Sequence, residues 1–256
     1  MLEECYNKLR IILSNESTLS KQNSPSYNPT SHDFRNSFLP EQIKLQDQAL
    51  EEYRITNNIQ FLQNTYPDFF ELIIVTKDRP GLFADIVACI YSEGLAVLDA
   101  KLIKKGELAL DILTLEPDGL TLLNPDESLG RIKKKWDKIC SGQLETAKLY
   151  QDRLQAYPTK ISRDDIMGQS IRLKWENKVS SQYSILEIHV PARKGLLHTI
   201  TDCLYKLQVS IASARISTIA DNAVDVLYLT DENGNKIQDQ QRMDLILKEL
   251  RISLEK

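Results

Sequence analysis

Cysteine is scarce in this sequence, and its four occurrences, Cys5, Cys89, Cys140 and Cys203, fall in no CxxC or other ligand-like spacing. The pattern offers neither a disulfide framework nor a structural zinc site, and reduced thiols in a core suit a cytosolic chain. A basic surplus is lacking as well. The net charge is -4 over 256 residues, which excludes a nucleic-acid binder working by bulk electrostatics. The densest basic run, Arg131 to Lys138, alternates with Ile132, Trp136 and Ile139 at helical spacing, so it reads as the solvated face of a helix. No run approaches the roughly 18 apolar residues of a membrane span. The N-terminal "MLEECYNKLRIILSN" places Glu3 and Glu4 where a secretory signal needs positive charge. No nucleic acid and no membrane are therefore expected as partners, and the cytoplasm is the expected location.

What the sequence does have is a repetition. Lys77 to Gly119 and Ala192 to Gly234 run in one register, and a constant offset of 114 residues relates Gly81 to Gly195, Leu82 to Leu196, Ile86 to Ile200, Cys89 to Cys203 and Tyr91 to Tyr205. The same offset relates Ala100 to Ala214, Asp111 to Asp225 and Leu115 to Leu229. A gap-free register over that distance identifies a duplicated structural unit. With 42% hydrophobic and 27% charged residues, the chain is long enough to bury two small cores.

Residues 1–37 read as a short helix followed by a polar linker, since Ser14 to Ser37 is rich in Ser, Asn, Pro and Thr and has little to bury. Residues 38–69 read as a helix starting at Pro40, with Ile43, Leu45, Ala49, Leu50 and Tyr53 on one side, leading to two strands around a turn at Tyr66 to Asp68. The first unit, 70–180, then predicts strand Phe70 to Val75, helix Gly81 to Ser92, strand Ala96 to Lys104, a turn at Gly106, strand Glu107 to Glu116 and a helix from Pro125. Ser170 to Val179 is the expected fourth strand of that unit. The second unit, 184–256, predicts strand Ile185 to Val190, helix Leu196 to Leu207, a hairpin from Val209 to Thr230 and a last helix Gln238 to Leu250, leaving only "RISLEK" as a meagre final strand. The βαββαβ order makes this an α+β chain with two ferredoxin-like units in tandem. In the hairpins, Leu98, Ala100 and Leu102, like Ala212, Ala214 and Ile216, alternate with more polar neighbours toward the expected core.

The loop "KDRPGLF" before the first repeated helix admits two readings. A helix N-terminus offers unpaired N–H groups and a positive dipole end to a carboxylate, and Gly81 lets a ligand approach the backbone. Alternatively, Asp78 or Arg79 caps the helix and Pro80 sets its first turn. His198 and Asp202, four residues apart, match either half a metal site or an exposed pair, and no third ligand accompanies them. Asp111 and Asp225 lack a partner acid and suit a fold role or a hydrogen bond to a neighbouring loop. No catalytic residue, metal ligand or cofactor site is read from the chain.

"DRPGLFADIV" with its βαββ continuation resembles an ACT domain, a small ligand-sensing module. With "LDILTLEPDG", "IRLKWEN" and "AVDVLYLTDENGNKI", the tandem arrangement from Phe38 onward resembles the C-terminal regulatory region of the bifunctional uridylyltransferase/uridylyl-removing enzymes of the nitrogen-signalling protein PII. That resemblance implies an amino-acid-binding regulatory protein, with glutamine as the ligand and Asp78, Arg79, Pro80, Gly81 and Leu82 as the ligand loop. The second loop keeps Arg193, Gly195 and Leu196 of the pattern but has Ala192 and Lys194 in place of its Asp and Pro. The resemblance further implies separate uridylyltransferase catalytic domains or PII as partners, and homodimers formed through the sheets are compatible with it. The family's catalytic Gly-Ser motif occurs nowhere in this sequence, and its one His-Asp pair, His32 and Asp33, lies in the polar linker.

Overall fold

The computed structural model describes residues 40–67, 69–118, 124–157, 171–219 and 222–255. The predicted linker at Ser14 to Ser37, with His32, and the short helix before it, with Cys5, lie outside the described residues.

Helix α1, Pro40–Thr56, precedes a hairpin of β1, Gln60–Thr65, and β2, Phe70–Lys77. Helix α2, Leu82–Ser92, strands β3, Leu95–Lys105, and β4, Leu108–Pro117, and helix α3, Pro125–Cys140, follow. These strands form one antiparallel sheet in the order β1-β2-β4-β3. A further helix, α4, Thr146–Ala156, leads to the second unit, made of β5, Arg172–Glu176, β6, Ser184–Pro191, α5, Leu196–Lys206, β7, Val209–Arg215, β8, Thr218–Ile219, β9, Asn222–Asp231, and α6, Gln240–Leu254. Its sheet runs β5-β6-β9-β7, with the short β8 paired to β9.

The expected fourth strand of the first unit therefore belongs elsewhere. β5 pairs with β6, placing Trp175 opposite Leu186, and Leu173 and Trp175 pack on the second unit's core. Each sheet takes its edge strand from the N-terminal side, so the chain order is ββαββα in both units. The edge position is the one a final strand would fill in βαββαβ, so the ferredoxin-like sheet survives the change. For the first unit the physical reason is loop closure. β1 reaches β2 through a tight turn, with Tyr66 N–H donating to the Phe69 carbonyl at 2.9 Å, whereas a strand returning after α3 and α4 would close a much longer loop. The terminal "RISLEK", expected as a weak strand, instead extends α6 as far as Leu254, which is buried.

The alternation expected in the hairpins is broken at one matched place in each. The register shifts between Val97 and Asp99 in β3 and between Ile211 and Ser213 in β7. A bulge adds one residue to its strand and reverses the facing of what precedes it. Val97 and Ile211 therefore pack on the core, while Leu98 and Ala212 are only half-buried and lie outside it. Ala100, Leu102, Ala214 and Ile216 face the core as expected.

One apolar core runs through both units, from Phe61, Leu72 and Ile86 to Leu186, Ile200 and Leu227. α2 lies against α5, and the outer strands β3 and β7 lie along one another. α1 covers the other face of the first sheet, where Ala49 and Leu50 meet Ile73, Val75, Leu110 and Ile112. Truncating Leu50 to Ala in this small layer should cost about 2 kcal/mol, read as a lower urea midpoint at unchanged slope.

Candidate functional site

Local backbone chemistry builds the site at Gly81. That residue has φ 76° and ψ 0°, a left-handed conformation that glycine adopts without steric penalty, and it stands at the N-cap of α2. No side chain caps the helix, contrary to the capping alternative for Asp78 and Arg79. Arg79 instead pairs with Asp85 at 2.5 Å and lies 5.5 Å over the Trp136 ring. Asp78 pairs with Lys104 at 2.8 Å. With its side-chain cap missing, the first turn of α2 leaves backbone N–H groups without intrahelical partners, at the positive end of the helix dipole.

These N–H groups border a cavity of about 460 Å³ between the two units. Asp78, Arg79, Pro80, Gly81 and Leu82 all line it, with Lys104 and Asp111 behind them. Tyr205, Ser210, Ala212, Thr230 and Glu232 close it from the second unit. A ring carbon of Tyr205 lies 2.9 Å from where a Cβ on Gly81 would stand. The size suits a small-molecule site, and the wall mixes apolar carbon with a few charged groups. Asp111 is 4% exposed. Burial, with the charge of Asp78 adding to it, pushes its carboxyl up to about 8, so the group holds its proton at neutral pH.

The second loop is arranged alike but is not part of this cavity. Gly195 has φ 74° and ψ 5° at the N-cap of α5, again without a side-chain cap. Leu196 is buried, and Arg193 is half-buried, with desolvation drawing its pKa below the usual guanidinium value. Lys194 lies 3.7 Å from Asp118. A second recess, at Ser181 to Tyr183 and Gly234 to Gln238, is a polar crevice lined by neither repeated loop, and its Lys236 already donates to the carbonyls of Asn177 and Ser180.

The remaining candidates resolve simply. His198 is buried and hydrogen-bonds the Ala84 backbone, and Asp202 pairs with Lys206 at 2.6 Å, so the two form neither an exposed pair nor half a metal site. Among the described residues no three acidic, Cys or His side chains are placed to hold a metal. Asp225 accepts from the Ser217 N–H at 3.4 Å, the loop contact expected of it. Cys89 and Cys203 are free and buried, while Cys140 is free but exposed. Sequence reasoning missed Lys104 and Glu232 as wall residues, since neither stands in a motif. The repeated Tyr91 and Tyr205 take unlike places: Tyr205 lies over Gly81, whereas Tyr91 is buried beside Tyr150.

Two antiparallel sheets, each with helices on one face and a glycine-led helix end turned toward the neighbouring unit, define a protein of tandem ACT-like domains. Residues 172–256 match the family model described as an ACR9-like, ACT-like domain. More broadly, the chain is similar to proteins named bifunctional uridylyltransferase/uridylyl-removing enzyme. That of Gluconobacter oxydans is 30% identical over 186 residues, covering 72% of this chain and 19% of the relative. That of Rhodospirillum rubrum is 28% identical over 185 residues, again 72% of this chain and 19% of the relative. The match thus spans about a fifth of the length of these relatives. An unknown protein from Galdieria sulphuraria overlaps 73% of this chain and 91% of its own solved structure at 12% identity, with a TM-score of 0.22, too loose a likeness to bear on the fold. Among the described residues no helix is long and apolar enough to cross a membrane.

Proposed function

We propose that the protein is an amino-acid-sensing regulator that binds glutamine in the cavity between its two ACT-like units and passes that state to a partner. The observation that supports this most is the convergence of the whole Asp78 to Leu82 loop on one open cavity of about 460 Å³. In this reading the ligand carboxylate meets the uncapped N–H groups at the start of α2, and its ammonium meets Asp78. A ligand bridging loop and facing unit would change how the units hold one another, which is the physical content of a regulatory signal. The partner would be PII or separate uridylyltransferase catalytic domains, in keeping with the names of the relatives. Calorimetric titration with each common amino acid tests the reading. One equivalent of glutamine bound more tightly than the other amino acids is expected, and no binding of any would reject it.

Residues 1–256 alone are expected to show no turnover of UMP on PII in either direction, since neither the Gly-Ser motif nor a full HD ligand set occurs in the sequence. Radiolabelled UMP incorporation and release with magnesium or manganese measures this. Turnover above a no-protein control would favour the reading of the chain as a working part of the transferase.

A further inference from the structure

The repeat places a like glycine turn at the start of α2 and of α5. Gly81 and Gly195 share one left-handed conformation, Gly94 and Gln208 share another at φ 74° and 54°, and the bulges fall at matched residues. Two like loops therefore stand at two like helix starts, and a cavity opens beside the one at Gly81. At Gly195 the atoms nearest a hypothetical Cβ are those of Tyr150, at 2.6 Å, although the register partner of Tyr205 is Tyr91. Tyr150 comes from α4, which lies beyond the stretch matched between the two units. Its ring stands 5.4 Å from that of Tyr91 and 4.2 Å from that of His198, and its hydroxyl lies 3.2 Å from Thr199 Oγ1.

Nearly one helical turn further on, Arg153 Nη2 meets Asp118 Oδ2 at 2.6 Å, with both side chains largely buried. Glu232, which corresponds to Asp118 at the repeat offset, lines the open cavity and has no ion-pair partner among the described residues. The occupied side also holds an unsatisfied group. His198 is 4% exposed, and its Nδ1 has no hydrogen-bond partner, so what fills this pocket leaves a buried acceptor unmet.

Resting on the amino-acid reading above, we propose that α4 is a built-in occupant of a second amino-acid pocket, bounded by Arg193 to His198 and Tyr91. Tyr150 fills the pocket body, and Arg153 supplies the cation. Because α4 is part of the same chain, its docking is intramolecular, at an effective concentration on the order of millimolar for short tethers. The chain therefore binds one amino acid where its geometry provides for two, and undocking α4 converts it to a two-site protein.

Equilibrium dialysis of the full chain against glutamine and each other common amino acid tests this, with folding checked by a cooperative melt. The parent and Tyr150→Phe, which keeps the ring, should each bind one equivalent. Tyr150→Ala should bind two. Arg153→Gln, which keeps the Tyr150 ring but releases the anchor of α4 on Asp118, guards against a Tyr150→Ala chain that fails to fold and should gain a second equivalent at least tenfold weaker than the first. If the parent binds none and the variants gain one, the plug stands while the open-cavity reading falls. If folded variants bind no more than the parent, whether that is one equivalent or none, the proposal is overturned.

Discussion

Asp78→Ala should remove most of the stabilisation that ligand confers, whereas Lys194→Ala should leave it nearly intact. A ligand that binds only the folded chain adds roughly 2.7 kcal/mol at about 100 times its dissociation constant, and a thermal melt with and without glutamine reads that increment directly. Asp78 lines the cavity in the loop that leads into α2, and its side chain is about a third exposed (32%), paired with Lys104 at 2.8 Å. Deleting it does two things to an incoming ammonium: an attractive charge disappears, and the Lys104 cation is left uncompensated on the same wall. Lys194 lies on the other loop against Asp118 and touches none of this. A control separates charge from packing. Lys104→Met frees Asp78 and should hold or tighten affinity. Equal affinity in Asp78→Ala and the parent, or weakening by Lys104→Met equal to that of Asp78→Ala, would move the ammonium site away from this acid.

How far this site was legible in the sequence depends on the range of the forces involved. Helix stripes such as Leu82, Ile86 and Ile90, and the repeat itself, are local periodicities that report directly which face is buried, and they located both units and both glycine turns. The loop Asp78 to Leu82 was legible for the same reason, because a proline-glycine break before an apolar stripe is a short-range signal. Strand partnership is not short-range. Nothing in "IRLKWEN" states whether Trp175 packs beneath β2 or β6, and only loop closure and the competing hairpin at Tyr66 decide it. The bulges at Val97 and Ile211 were hidden because Leu98 and Ala212 are apolar enough to pass as core residues. Tyr150 was invisible for a deeper reason: α4 lies outside the matched register, and the role proposed for it exists only relative to a pocket formed by two distant segments. Asp111 fell between these cases. Its recurrence as Asp225 was plain, but the burial that alters its chemistry is a tertiary fact.

That altered chemistry gives the second large expectation: the folded protein should lose stability as pH rises from about 4 to about 8, and Asp111→Asn should abolish much of the loss. The carboxyl of Asp111 is raised from 3.8 to about 8, first by burial and then by the charge of Asp78. Between those limits the folded chain keeps a proton that the unfolded chain releases, so the unfolded state binds fewer protons and the slope of stability with pH is negative. Its limiting size is about 1.4 kcal/mol per pH unit. Below the unfolded value both states are protonated and the contribution vanishes. Asp225, pushed up to about 7 by burial and held back partly by the Ser217 N–H, adds a similar fall that ends nearer neutrality. An asparagine in place of either residue keeps the shape and carries no titration, so urea unfolding at pH 5, 7 and 9 should show a flattened profile in each variant and the flattest in the double variant. The same proton connects stability to sensing. An ammonium that offsets the charge of Asp78 weakens one of the two influences holding the Asp111 pKa up, so ligand binding at pH 8 should release a fraction of a proton from the parent and none from Asp111→Asn. Titrations in buffers of different ionisation heat measure that fraction. An unchanged pH slope in Asp111→Asn would mean that Asp111 is ionised in the folded chain at neutral pH, and proton release persisting in that variant would place the coupling on another group of the cavity wall.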